Sequence, residues 1–181
     1  MREPRAACLN CMTSASYRLR ALPRMYSHVC SFCFVICAHS ISVQLAKGGR
    51  ALWGPYAQYV MPDGIRFKVV SAPQNIGKAK ESSDWRHAYD TLVARVDAAG
   101  RFDLALIACG GLGMLLGAHL RATNRSAMYS GADLQLWFGV FGRRWGLGLG
   151  ALNLSFIKTW VRPSALEVPP GALVVEGGAY W

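Results

Sequence analysis

The sequence has few charged residues and no long apolar run. Charged residues make up 17% of the 181 residues, below the quarter or so that is usual in soluble globular domains. No apolar run reaches the roughly 18 uncharged residues of a clear membrane-spanning helix, so we expect no membrane span. The absence of a fixed-period repeat argues against a solenoid, and an apolar content of 52% argues against a disordered chain.

The motifs of several common enzyme classes are also missing. The chain has no Asp-x-Asp or Asp-x-Glu pair that could hold a divalent metal ion on nucleotide phosphates. It has no Gly-x-Ser-x-Gly elbow and no His-Glu-x-x-His helix, and no phosphate-loop lysine follows its glycine-rich segment. These absences argue against a serine hydrolase, a zinc peptidase and a phosphate-loop nucleotidase.

Acidic residues are absent from a long N-terminal stretch, which makes the charge uneven. The chain carries 20 Lys and Arg against 10 Asp and Glu, a net charge of +10. No acid occurs between Glu3 and Asp63, so the first 62 residues have seven basic residues and one acidic residue. The remainder has thirteen and nine. This break predicts an N-terminal extension over residues 1–60 and an α/β domain over residues 61–181.

The N-terminal extension allows three interpretations. Its Arg-, Ala- and Ser-rich composition is typical of organelle transit peptides, and the second interpretation is a poorly structured tail. The third is a zinc site, because Cys8-x-x-Cys11 and Cys30-x-x-Cys33 have the spacing of a four-thiolate centre; such a basic module would bind nucleic acid. We expect the poorly structured tail, no nucleic-acid partner and a cytoplasmic location, with organelle targeting as the alternative.

Downstream of residue 60, strand and helix patterns alternate. The predicted order is a strand at 67–72, a helix from Trp85 to Val96 capped by Ser82 or Ser83 and ended by Gly100, a strand at 103–108, a glycine turn at 109–113, a helix at 114–122, a strand at 126–129 and a helix at 133–140. This order predicts a partial Rossmann-like parallel sheet with flanking helices. Ligands of such sheets bind beyond the carboxyl ends of the strands, and we expect the chain after Val140 to close over that edge.

The glycine turn is the strongest candidate for a binding site. Gly110, Gly111 and Gly113 lack β-carbons, so a phosphate could approach the backbone at the start of the following helix. Gly111-Leu-Gly113 begins a dinucleotide fingerprint, and Asp133 lies where a ribose-binding acid is expected, but Leu116 stands at the third glycine position. The turn predicts nucleotide or phosphate binding, with close packing of strand and helix as the alternative.

Basic and aromatic side chains cluster near the end of the chain. Arg143-Arg144-Trp145 could clamp a phosphate or carboxylate, or it could be a solvated turn. Arg162 and Glu176 lie among aromatic residues, where a lone charge is usually paired with another charge or with a ligand. We identify no catalytic residue.

Four blocks then follow one another in order. They are the strand–glycine–helix segment at 102–119, Tyr-Ser-Gly-Ala-Asp-Leu-Gln-Leu-Trp-Phe-Gly-Val-Phe-Gly-Arg-Arg-Trp at 129–145, Trp-Val-Arg-Pro-Ser at 160–164 and Val-Glu-Gly-Gly-Ala-Tyr-Trp at 175–181. Over about residues 60–181 they resemble a family of glycosyltransferase-like proteins with the D-type glycosyltransferase fold, associated with surface-polysaccharide synthesis. The resemblance implies a sugar-nucleotide ligand and a glycan acceptor. It places the glycine turn at the diphosphate, Asp133 and Gln135 near the sugar or ribose, and the three arginines opposite negative charge.

The chain departs from that family where its chemistry is expected. Family members usually carry a further N-terminal α/β portion with an acidic Asp-Gly-Glu element, which implies a divalent metal ion, whereas Asp63-Gly64 is followed here by Ile65. Ser130-Gly131 replaces a paired glycine, and Ile157-Lys158 replaces an Asn-Glu pair. The resemblance therefore implies a truncated sugar-nucleotide-binding protein with no certain cofactor. A non-catalytic binding module is the alternative.

Overall fold

A parallel sheet of four short strands forms the centre of the computed structural model, which describes residues 31–35, 38–74, 84–145 and 155–181. The strands are β1 (Ser31–Val35), β2 (Arg66–Val69), β3 (Leu104–Ile107) and β4 (Ala127–Tyr129). Their order is β2-β1-β3-β4, and each neighbouring pair is parallel. The register places Phe32 of β1 opposite Phe67 and Leu104 of its two neighbours. The protein is therefore a mixed α/β fold with a small parallel sheet.

Helices and short 3-10 turns connect the strands. The α-helices are α1 (Ala38–Lys47), α2 (Gly49–Trp53), α3 (Ala57–Val60), α4 (Trp85–Ala98), α5 (Gly110–Ala122) and α6 (Leu134–Trp137). The 3-10 turns are Gly54–Tyr56, Gly131–Asp133, Ser155–Thr159, Ala165–Glu167, Ala172–Val174 and Glu176–Gly178. None of the described helices is long and apolar enough to cross a membrane.

The two faces of the sheet carry two apolar clusters. Side chains alternate along β3, so Ala105 and Ile107 face one cluster while Leu106 and Ala108 face the other;. The first cluster packs α4 and α5 on the sheet through residues that include Leu92, Val96, Leu116 and Leu120. The second packs α1, α2 and α6 through residues that include Ile41, Leu52, Leu134 and Phe138. A strand buried on both faces explains the continuous apolar run predicted there.

Helix α4 follows its predicted pattern but has a different cap. Its buried residues repeat at the spacing of one helix face, and Gly100 follows its end with a φ of 71°. The side chain of Asp84 accepts hydrogen bonds from the backbone N–H groups of Arg86 at 2.7 Å and His87 at 3.0 Å. These bonds hold the pKa of Asp84 below its usual value. Asp84 is therefore the N-cap, and the predicted caps Ser82 and Ser83 lie outside the described residues.

The stretch up to residue 60, expected as a poorly structured tail, forms a strand and helices in the part that the structure describes. β1 lies between two other strands, and α1 and α2 pack on the sheet. Ile41 of α1 and Leu52 of α2 are fully buried. Both belong to the apolar cluster that packs these helices on the sheet. A break in charge says nothing about such burial. Residues 1–30, with the predicted zinc ligands Cys8, Cys11 and Cys30, lie outside the described residues.

The glycine turn and the last predicted helix also differ in detail. Gly110, Gly111 and Gly113 are the first turn of α5 itself, which starts four residues before the predicted helix at 114. The predicted helix at 133–140 is a 3-10 turn followed by the four-residue α6. After residue 140, the described chain is α-helical at 143–145 and otherwise forms 3-10 turns and a single parallel bridge between Val140 and Val161.

Candidate functional site

A cavity of about 420 Å³, here called the edge cavity, lies at the carboxyl end of the sheet. Segments that follow β2 and β3, the end of β4, and the last residues of the chain form its walls. The lining residues are Ala72, Pro73, Gln74, Ala108, Cys109, Gly110, Gly111, Leu112, Tyr129, Ala132, Gln135, Val175, Tyr180 and Trp181. The strand order reverses between β1 and β3, and such a reversal is where open parallel sheets bind ligands.

Helix α5 begins in the wall of the edge cavity. Its N-cap residue, Cys109, makes no side-chain capping hydrogen bond, and the first N–H groups of a helix have no acceptor within the helix itself. Gly110 has a φ of 59°, a left-handed conformation in which a β-carbon would be strained. An uncapped helix start presents N–H groups and the positive end of the helix dipole, which together favour an anion.

The structure divides the three predicted glycines into two groups. A β-carbon added to Gly110 or Gly111 would have no other atom within 4 Å. A β-carbon on Gly113 would lie 2.8 Å from both Ile107 Cγ2 and Tyr129 Cε2, closer than carbon atoms approach one another. The first two glycines therefore leave open space in front of the helix start, whereas Gly113 is needed for packing of α5 on the sheet.

The thiol of Cys109 lines the same wall. Burial raises its pKa to about 12, so it stays protonated at neutral pH. Because the thiolate is the nucleophilic form of cysteine, this side chain is a poor nucleophile. Cys109 therefore contributes an uncharged surface to the edge cavity.

The closing segment, residues 175–181, forms the remaining wall and is held by backbone hydrogen bonds. The N–H groups of Arg143 and Arg144 donate to the carbonyls of Trp181 at 3.2 Å and Ala179 at 3.1 Å. The buried Gln135 donates from Nε2 to the Tyr180 carbonyl at 3.3 Å. These bonds hold the closing segment in place, and three of its residues lie at the carboxyl edge of the sheet as lining of the edge cavity.

Charged side chains fix the same segment. Arg144 lies 3.9 Å from the carboxylate of Glu176, and Arg143 donates from Nη1 to the Gly177 carbonyl at 3.0 Å. The hydroxyl of Tyr180 donates to Glu176 Oε2 at 2.8 Å, and this hydrogen bond raises the pKa of Tyr180. The guanidinium of Arg144 also lies over two aromatic rings, 5.5 Å from that of Trp145 and 5.4 Å from that of Tyr180.

The predicted site residues thus fall into three sets. Gly110, Gly111 and Gln135 line the edge cavity. A second set holds the closing segment or stacks beside it, and consists of Arg143, Arg144, Trp145 and Glu176. The third set consists of Gly113, Asp133 and Arg162, none of which is among the lining residues. Gly113 packs on the sheet and Asp133 is exposed. Arg162 lies over the ring of Phe141 at 5.3 Å and donates from Nη1 to the Trp181 carbonyl at 3.5 Å. Ligand binding by the second and third sets stays a prediction, since these arginines already have partners within the chain.

A carboxylate at the start of α1 was not predicted. Glu167 accepts hydrogen bonds from the backbone N–H groups of His39 at 2.9 Å and Ser40 at 3.2 Å, and from the Ser40 hydroxyl. It also accepts from the N–H of Ser164 at 3.2 Å, within a Ser-x-x-Glu capping box. The capping box was visible as a local pattern. Its contact with α1, 127 residues away, has no local signal.

The divalent metal ion implied by the resemblance does not fit the described residues. None of the residues lining the edge cavity is acidic. In the part of the chain that the structure describes, no group of three or more His, Cys, Asp or Glu side chains could hold a metal ion. We therefore assign no step to a metal ion.

Comparisons with known proteins add no assignment. The glycosyltransferase resemblance and the ligands that it implies stay predictions, and the function has to be inferred from the chemistry of the edge cavity. No family model, no curated protein and no solved structure matches this chain.

Proposed function

We propose that this chain is a glycosyltransferase-like protein that binds a sugar nucleotide in the edge cavity. The observation that carries the proposal is the open space at Gly110 and Gly111 in front of the uncapped start of α5. A phosphate placed there would accept hydrogen bonds from the first N–H groups of a helix of 13 residues;. Glycine is required at such a place because a side chain would keep the phosphate from the backbone.

The sheet supports the same proposal. We interpret it as a partial Rossmann-like fold, since the order β2-β1-β3-β4 matches the start of the flavodoxin-like strand order. In folds with that order, a phosphate-bearing cofactor lies where the strand order reverses. The edge cavity lies next to this point, at the carboxyl ends of β2 and β3, the two strands that flank β1.

The rest of the cavity wall suits the other parts of a sugar nucleotide. The rings of Tyr129, Tyr180 and Trp181 provide apolar faces, and Gln74 and Gln135 provide amide groups. Aromatic faces with a few polar groups are typical of small-molecule sites, and about 420 Å³ lies in their usual range of 300–1,000 Å³. A base or sugar ring could therefore pack beyond the diphosphate.

The second candidate is a binding module without transferase activity. It is favoured by the lining of the edge cavity, which among the described residues contains no carboxylate and no histidine. Transfer of a sugar to a hydroxyl group usually needs a base or an electrophile near the reacting atoms. On this alternative the chain binds the same ligand and releases it unchanged.

Calorimetric titration of UDP- and GDP-sugars tests the proposal. Wild-type protein should bind one of them, Gly111→Ala should bind it at least about tenfold more weakly, and Gly117→Ala should bind it as wild type does. Gly117 is the matched control, because it is a glycine in the same helix that is not among the cavity residues. The proposal is wrong if wild type binds neither class, with or without manganese, or if Gly111→Ala binds with unchanged affinity.

A turnover assay separates the two candidates. Release of the nucleoside diphosphate, with or without an added glycan, would support transferase or hydrolase activity. Binding without any release would support the non-catalytic module. Loss of release in Asp133→Ala, with binding retained, would place the exposed Asp133 in the reaction.

A further inference from the structure

We infer that a second site adjoins the edge cavity and binds an acidic saccharide. It is a groove of about 690 Å³ between the second half of α5 and β4, here called the edge groove. Because β4 is the last strand of the described sheet, the groove lies along the sheet edge. Its polar side chains come from Arg121, Asn124, Arg125, Ser126 and Tyr129.

Four of these side chains have polar groups available to a ligand. Arg121, Asn124, Ser126 and Tyr129 are all exposed, and their side chains make no hydrogen bond or ion pair with the described part of the chain. Together they offer a guanidinium, an amide, two hydroxyls and one aromatic face. Sugar hydroxyls both donate and accept hydrogen bonds, so they match the amide and hydroxyls, while an aromatic face packs on the apolar side of a sugar ring.

The fifth side chain, Arg125, has partners within the chain and adds little net charge. Its guanidinium donates to Asp97 at 2.7 Å and to Thr123 at 3.1 Å, and it lies 3.3 Å from His119 Nε2. Asp97 therefore compensates the charge of Arg125. Arg121 has no ion pair with the described residues, so it supplies the positive charge of the groove. This charge favours a ligand with a carboxylate, because guanidinium and carboxylate pair in two parallel hydrogen bonds.

Tyr129 joins the edge groove to the edge cavity. It lines both, and its ring packs so closely on Gly113 that a β-carbon there would lie 2.8 Å from Cε2. A saccharide in the groove would thus lie across one fixed ring from a ligand in the cavity. In a glycosyltransferase, the saccharide in the groove would then be the glycan that receives the sugar. This role as acceptor rests on the function proposed above, whereas binding of the acidic saccharide does not depend on it.

Titration with a glucuronic acid–glucose disaccharide tests this inference, with the neutral glucose disaccharide of the same linkage as the matched probe. Wild type should bind the acidic disaccharide at least about tenfold more tightly than the neutral one. Arg121→Gln should lose this preference, whereas Arg101→Gln should keep it. Arg101 is an exposed arginine outside the groove, so it controls for a lost surface charge.

The outcomes for the two sites are separable. Arg121→Gln should bind UDP- and GDP-sugars as wild type does, because Arg121 lines only the groove. If the acidic disaccharide binds but no sugar nucleotide does, the saccharide site in the edge groove is supported and the function proposed for the edge cavity is wrong. If the acidic disaccharide does not bind wild type, binds no better than the neutral one, or binds Arg121→Gln equally well, the inference is overturned.

Discussion

Two helices start at the same edge of the sheet, yet their first N–H groups meet different surroundings. At α1, the carboxylate of Glu167 accepts from the N–H groups of His39 and Ser40. At α5, the side chain of the N-cap residue Cys109 makes no capping hydrogen bond, and Gly110 and Gly111 face open space. Both starts present the same positive dipole end. The start of α1 binds the chain's own Glu167 carboxylate and has a structural role. The start of α5 can bind the anionic group of a ligand.

The closed start also links distant parts of the chain. Glu167 and Ser164 form the local capping box of the 3-10 turn at Ala165–Glu167. The same carboxylate also accepts a hydrogen bond from α1, the first described helix. The backbone carbonyl of Glu167 accepts from the Trp181 indole at 3.1 Å. The closed start therefore supports the wall of the open site through the closing segment.

Removal of the Glu167 carboxylate should have the largest effect on the free energy of unfolding. Glu167→Ala leaves the N–H groups of His39, Ser40 and Ser164 without that acceptor, so we expect a loss of about 2 to 3 kcal/mol in the free energy of unfolding. Glu176→Ala is the matched control, because it removes an exposed carboxylate that has one ion pair at 3.9 Å and one hydrogen bond from the Tyr180 hydroxyl, and it should cost about 1 kcal/mol. Urea unfolding measures both, and equal losses would show that the contact with α1 adds no stability.

The glycines of α5 should separate packing from binding. Gly113→Ala places a β-carbon against the fully buried Ile107, so it should lower the free energy of unfolding by about 1 to 2 kcal/mol. At Gly117 a β-carbon would meet only Ile107 Cδ1 at 3.9 Å, so Gly117→Ala should raise it by up to about 1 kcal/mol through helix propensity. Thermal or urea unfolding measures both variants, and changes of opposite sign in the free energy of unfolding support this distinction. A Gly113→Ala variant as stable as wild type contradicts the packing described for α5.

Cys109 tests how strongly the open helix start acts on a group that can become an anion. A helix start usually lowers a thiol pKa, but burial raises that of Cys109 from 9.0 to about 12. Because the folded-state pKa is the higher one, the stability that this group contributes is fully present below pH 9 and is lost as the pH rises towards 12;. At pH 8, native Cys109 should react with iodoacetamide about a hundredfold more slowly than in urea.

Peptide mass mapping assigns the reaction to Cys109 among the cysteines of the chain. Rapid modification of the native protein at pH 7 would mean that the helix dipole outweighs burial at this position. The cavity wall would then be more polar than described, and a thiolate would compete with a phosphate for the same N–H groups.

Local patterns predicted the part of the fold that local forces determine. The spacing of Leu92 and Val96 predicted α4, and the apolar run at 103–108 predicted β3. The glycines after β3 marked the change from strand to helix, although they form the first turn of α5 and no separate turn. The position of Glu167 at α1 and of the closing segment on Gly142 depends on contacts between distant residues. Net charge was a poor guide, because the acid-free segment after residue 38 buries Ile41 and Leu52.

The predicted phosphate clamp of two arginines also shows that local patterns do not predict contacts between distant residues. Arg143 and Arg144 have the side chains for a phosphate clamp, and their sequence neighbours do not reveal a partner. The fold supplies one, since Gly177 and Glu176 come to lie beside them. A pair of arginines predicts that an anion or a row of carbonyls will be near, but it does not say whether these belong to a ligand or to the chain.

Amide resonances recorded during a titration with UDP-glucose test the contrast between the two helix starts most directly. If α5 is the open anion site, the N–H signals of Gly110, Gly111 and Leu112 shift on addition of the ligand, while those of His39 and Ser40 stay in place because Glu167 already occupies them. Shifts at His39 and Ser40 without shifts at α5, or no shift at either helix, would contradict the account.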